Sequence, residues 1–121
     1  MNPLNAALRF ILELAAIVSF GMWGYRLAGG VPGVFLAILL PAGFAVLWGV
    51  FAVRNDPSRS GKTVLNVPGW LRLILELGLF SAATLMLLDL DYPVAGIILL
   101  VLVVFHYILS WKRLAWLIGQ K

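Results

Sequence analysis

The chain has 121 residues, of which 63% are hydrophobic and only 12% charged, with no cysteine, one histidine and a formal net charge of +4. Mean hydropathy is +1.03, far from soluble domains, where about a quarter of residues carry charge. This composition excludes disulfides, thiolate chemistry, cysteine-ligated metal and a multi-histidine metal site within one copy. It also places the positive charge at segment ends, where it reads as a topology signal rather than as a nucleic-acid surface.

A bilayer core of about 30 Å needs roughly 20 mainly apolar residues, and four segments meet that need. The first runs from Leu4 to Tyr25 and the second from Val34 to Val53, separated by the breaker Gly29-Gly30-Val31-Pro32-Gly33. The third runs from Trp70 to Leu88 and the fourth from Val94 to Trp111, joined by the acidic, proline-ended turn Asp89-Leu90-Asp91-Tyr92-Pro93. The organisation expected is a first transmembrane hairpin over 1–53, a basic cytoplasmic linker over 54–69, a second hairpin over 70–111 and a cytoplasmic tail over 112–121. The first segment lacks a small-x-small cleavage site and carries Glu13 inside its apolar run, so it reads as retained. Pro41, followed by Gly43, is expected to kink the second helix for packing. Ser19, Gly21 and Gly24 form a weak close-packing face.

The two hairpins repeat. Leu8-Arg9-Phe10-Ile11-Leu12-Glu13-Leu14 returns as Leu71-Arg72-Leu73-Ile74-Leu75-Glu76-Leu77, an ungapped offset of 63 residues that also aligns Trp48 with Trp111. Twelve of the 41 aligned positions are identical; most are common apolar residues, but the Arg-x-x-x-Glu pair and the tryptophan are not cheap matches. Eight of the nine Lys and Arg residues fall on one side (Arg9, Arg54, Arg59, Lys62, Arg72, Lys112, Arg113 and Lys121) and only Arg26 on the other. That side is cytoplasmic, both termini are inside, and helices one and three run in the same direction. The expected fold is all-α: an integral membrane four-helix bundle made of two parallel-repeat helical hairpins. Trp48, Trp70 and Trp111 serve as anchors at the inner interface and Trp23 at the outer one.

Charged groups inside the spans are the candidate site. Arg9 and Glu13, like Arg72 and Glu76, lie one turn apart on one helix face, with each glutamate about 6 Å deeper than its arginine. His106 falls at a similar depth. Arg9, Glu13, Arg72, Glu76 and His106 therefore define one charged layer, open to two readings. Either each arginine bridges its own and the opposite glutamate in a symmetrical clamp, or the carboxylates work on an ion or proton. His106 aligns with Gly43, and reads either as a satisfied hydrogen-bonding group or as a relay. An arginine one turn away favours the ionised carboxylate, so Glu13 and Glu76 are expected to stay charged at neutral pH. By symmetry, Glu13→Gln and Glu76→Gln are expected to be equally damaging. No catalytic residues, metal site or cofactor motif is found: the chain has no phosphate loop, no HExxH and no Gly-x-Ser-x-Gly.

Arg9-Phe10-Ile11-Leu12-Glu13-Leu14, the run Pro41-Ala42-Gly43-Phe44-Ala45-Val46-Leu47-Trp48-Gly49-Val50-Phe51 into a basic loop, and Leu71-Arg72-Leu73-Ile74-Leu75-Glu76 together resemble the YrdB-like proteins of bacteria over nearly the whole chain. The resemblance implies a small four-helix membrane protein of unknown function and carries over no catalytic residue. Small multidrug transporters are a second likeness, with a glutamate in helix one near Glu13. They lack the repeated Arg-x-x-x-Glu and the strong charge bias. The expected function is thus a non-enzymatic assembly or modulatory component of the bacterial inner membrane. The alternative is a proton- or cation-coupled carrier, dimeric, using Glu13 and Glu76. Expected partners are the lipid bilayer and either a second copy or another membrane protein, with no nucleic acid.

Overall fold

The computed structural model describes residues 2–58 and 63–120; the linker charges Arg59 and Lys62 and the terminal Lys121 lie outside the described residues. Helix α1 spans Pro3–Ala28, with the Asn2 side chain accepting from Leu4 N–H and proline in the first turn, both standard ways to satisfy a helix start. Gly29 and Gly30 adopt φ of 66° and 55°, a left-handed pair that glycine tolerates without steric cost. Helix α2, Gly30–Val50, follows at once and continues through Pro41 as one helix. The α1–α2 contact is close because its residues are small. A Cβ on Gly24 would come within 2.6 Å of the Leu36 carbonyl oxygen, and one on Gly33 within 2.7 Å of that of Tyr25.

Two two-residue strands follow, β1 at Phe51–Ala52 and β2 at Leu65–Asn66, paired in parallel. Leu65 and Asn66 therefore lie back beside the end of α2. Helix α3 spans Gly69–Asp89 and helix α4 spans Pro93–Leu109. The chain then breaks by 72° at Ser110 into helix α5, Trp111–Ile118. Residues 112–118 of the expected tail are helical here. Gly69 N–H donates to Gln120 O at 2.9 Å, and a Cβ at Gly69 would overlap the Leu117 backbone. Glycine at 69 is what lets α5 lie against the start of α3.

The core runs along the helices as Leu12, Ala16 and Phe20 of α1, Phe44 of α2, Leu79, Phe80, Ala83 and Leu87 of α3, and Leu99, Val103 and Tyr107 of α4. Helix α2 buries only Gly33 and Phe44 and is apolar on all sides, as helices in lipid are. Helices α1, α2 and α3 are each long and apolar enough to cross a membrane; α4 passes that test only when α4 and α5 are taken together as one bent unit. The fourth span expected over Val94–Trp111 is thus a 17-residue helix, at the short end of what spans about 30 Å, and it ends where α5 turns away.

Candidate functional site: a charge cluster at one end of the helices

Every segment sends a polar side chain to the same end of the molecule, and Glu76 is the hub. Its Oε1 accepts from Arg9 Nη1 at 3.2 Å, Tyr107 Oη at 2.7 Å and Arg113 Nη1 at 3.0 Å. Its Oε2 accepts from Arg9 Nη2 at 2.9 Å, Arg72 Nε at 2.7 Å and Arg113 Nη2 at 2.7 Å. Glu76 has no exposed surface, and its two oxygens, with about four lone-pair sites between them, receive six donors. Charge-assisted contacts of this kind are the strong ones.

Each arginine also ties Glu76 to a different part of the chain. Arg72 donates through Nη1 to the carbonyls of Trp48 and Phe51, at 2.6 and 2.7 Å, satisfying the otherwise open end of α2. Arg113 donates through Nε and Nη2 to the two oxygens of Asp56, at 2.8 and 2.7 Å, a bidentate pair that pulls the post-α2 loop inward. The Asp56 carboxylate also accepts from Ser58 N–H at 2.9 Å, an Asx turn. Burial alone would raise the Asp56 carboxyl, but the Arg113 hydrogen bonds and charge, with Ser58, outweigh it and hold it below the ordinary carboxylate range.

The two Arg-x-x-x-Glu pairs are not equivalent in space, and the symmetrical clamp is not what forms. Arg9 crosses to Glu76 and lies 3.6 Å from its own Glu13, whereas Arg72 is paired with Glu76 alone. Glu13 retains 23% exposure and accepts from Trp48 Nε1 at 2.8 Å. The reason is Trp48, which the sequence placed as an interface anchor. Its ring stacks on Phe44, meets Phe80 edge-on, and carries the guanidiniums of Arg9 and Arg72 at 4.8 and 4.6 Å, cation–π contacts that gain strength when desolvated. A bulky indole next to α1 takes the place where Arg72 would have reached Glu13. Trp70 and Trp111 are mostly exposed, while Trp23 donates to Asp89 at the far end of the helices, where Arg26 donates to the Asp89 carbonyl.

His106 is wholly buried and satisfied on both nitrogens. Arg9 Nη1 lies 3.3 Å from its Nε2 and Asn5 Oδ1 lies 2.7 Å from its Nδ1. An arginine can only donate, so Nε2 is the acceptor and Nδ1 carries the proton. Asn5 Nδ2 then donates to Ser110 Oγ at 2.7 Å. With His106 neutral, Arg9, Arg72 and Arg113 face Glu13, Asp56 and Glu76, three charges against three. The site is therefore charge-balanced, and among the described residues no group of acidic or histidine side chains is arranged to hold a metal.

Sequence reading located Arg9, Glu13, Arg72, Glu76 and His106 but missed Arg113, Asp56, Tyr107, Asn5 and Ser110. Arg113 carried a signal: Ser110, Arg113 and Leu117 are spaced as one helical face, and all three are buried. Asp56 carried none, since Asn-Asp-Pro-Ser is an ordinary turn sequence.

The arrangement defines an all-helical protein with helices apolar enough to span a membrane and a closed ionic knot at one end. The chain belongs to the family described as a protein of unknown function, DUF2568, whose match covers residues 7–104. It is 40% identical to the uncharacterized protein YrdB of Bacillus subtilis (strain 168), over 99% of this chain and 98% of that one. No solved structure matches the chain.

Proposed function

We propose that the chain is a non-enzymatic multi-pass protein of the bacterial cytoplasmic membrane, acting as an assembly or modulatory component beside another membrane protein. The observation that supports this is the saturation of Glu76 by three arginines and a tyrosine with no exposed surface. A carrier's carboxylate must release its counter-charges to take up a proton or substrate, and three buried guanidiniums anchored to two other segments oppose that release. In purified protein reconstituted into vesicles, a lipophilic organic cation should produce no proton-coupled flux. Proton release on adding that cation, absent in Glu13→Gln, would overturn the reading and favour the alternative, a dimeric carrier. The observation behind that alternative is Glu13, which keeps part of its surface open.

In this reading α4 completes four helical passes related as two parallel hairpins, α5 turns away at the end of the fourth, and the charge cluster sits at the cytoplasmic end with both termini. Reporter fusions at residue 60 and at the C-terminus should both report cytoplasm, and a fusion at Gly29-Gly30 the outside. Equal populations of the two orientations would contradict the fixed topology.

A further inference from the structure

Beside the charge cluster, where α4 breaks into α5, lies a cavity of about 550 Å³. Its wall includes Asn5, Ser110, Lys112, Arg113, Trp111 and Trp116. The wall is one-sided in its chemistry: among the described residues that line it there is no acidic side chain. Asn5, Ser110 and Arg113 are each 4% exposed, so this is a built pocket and not a surface scatter of cations.

The hydrogen bonds inside the protein have a direction that ends here. Arg9 donates to His106, His106 to Asn5, and Asn5 to Ser110 Oγ. The Ser110 hydroxyl, having accepted, has its own hydrogen left, and none of the described residues accepts it. The second hydrogen on Asn5 Nδ2 is in the same position. Two buried donors in a donor-rich wall call for an acceptor from outside, because a buried donor left unmatched costs about 1–3 kcal/mol. Lys112, exposed and 5.7 Å from the Trp111 ring, adds a full positive charge at the rim. The Arg113 charge is already taken up by Asp56 and Glu76.

Position chooses the occupant. Helix α5 turns 72° from α4, burying Arg113 and Leu117 while exposing Trp111 and Ile118 at 63% and 68%. A short amphipathic helix running across the end of a span, with tryptophan and isoleucine outward, lies at headgroup level. We infer that this cavity holds the phosphate headgroup of an anionic phospholipid, with Ser110, Asn5 and Lys112 donating to the phosphate oxygens and Trp111 and Trp116 flanking the glycerol and upper acyl carbons. This rests on the membrane reading proposed above.

Native mass spectrometry of the full chain in mild detergent, with phosphatidylglycerol and phosphatidylcholine of matched chains, tests it. Phosphatidylglycerol should be retained over phosphatidylcholine. Lys112→Glu should weaken that retention by at least about tenfold, as reversal of one charge near an anionic headgroup predicts, and Lys112→Arg should keep it. Arg54→Glu, a reversal at an exposed residue outside the cavity wall, should change nothing. Equal losses in Lys112→Glu and Arg54→Glu would overturn the site in favour of general surface charge. Full displacement of the lipid by an equal concentration of glycerol phosphate would overturn it in favour of a free phosphate anion. Alkaline washing of membranes separates the two layers of the argument. If the wild type washes out, the membrane reading fails. If it stays but holds both lipids equally, only the headgroup site fails.

Discussion

Glu76→Gln is expected to be the most damaging conservative substitution in the chain. The change keeps shape but removes the one carboxylate among the described residues that touches all three buried arginines. Arg9, Arg72 and Arg113 would then share two counter-charges, one of them the partly exposed Glu13. The new amide would also turn N–H donors toward guanidinium donors. Breaking a buried ion pair by removing one partner costs about 3–5 kcal/mol, and nothing here softens that figure, since Glu76 is fully enclosed. Thermal melting in detergent should show the loss as a large fall in midpoint. A midpoint within a degree or so of wild type would mean that the cluster does not hold the helices together.

Arg113→Ala is expected to come close behind. It removes both hydrogen bonds to Asp56 and two of the six to Glu76, and frees α5 and the post-α2 loop at once. The cost should again be about 3–5 kcal/mol. Most of it comes from leaving Asp56, 3% exposed, without a cation. Arg113→Ala combined with Asp56→Ala should therefore cost less than the two singles added, with a coupling of about 0.5–3 kcal/mol. The pH dependence follows the same pair. Because the fold holds the Asp56 carboxyl low, its contribution is complete above the unfolded value of about 3.9. That contribution is lost as pH falls through the folded one. Asp56→Asn should flatten this acid limb of the melting curve. Strict additivity of the two alanine variants would argue that Arg113 and Asp56 act separately.

How much of this was legible in the sequence depended on which residues violated their surroundings. Arg9, Glu13, Arg72 and Glu76 stood out because ionisable groups in apolar runs are costly and therefore conspicuous. His106 stood out for the same reason. Arg113 sat where basic residues are expected anyway, past the end of a span, and its topology role hid its buried one. Asp56 was hidden by an unremarkable turn, since burial of a loop carboxylate depends on a partner 57 residues away. The repeated Arg-x-x-x-Glu was a poor guide to chemistry. Identical Arg-x-x-x-Glu pairs meet different neighbours: Trp48 holds Glu13, while Tyr107 and Arg113 close over Glu76. The bend at Ser110 was missed because Leu109-Ser110-Trp111 contains no proline or glycine to mark it.

The central claim is that the charge cluster is a one-sided knot tied on Glu76 and not a symmetrical pair of clamps. Melting Glu13→Gln beside Glu76→Gln in the same detergent tests it most directly. Glutamine at 13 keeps an oxygen for Trp48 Nε1 and gives up only a 3.6 Å pair that is partly open to solvent, a loss of about 0–1 kcal/mol. The account predicts a small shift for Glu13→Gln and a collapse of several kcal/mol for Glu76→Gln; equal losses from the two substitutions would contradict it.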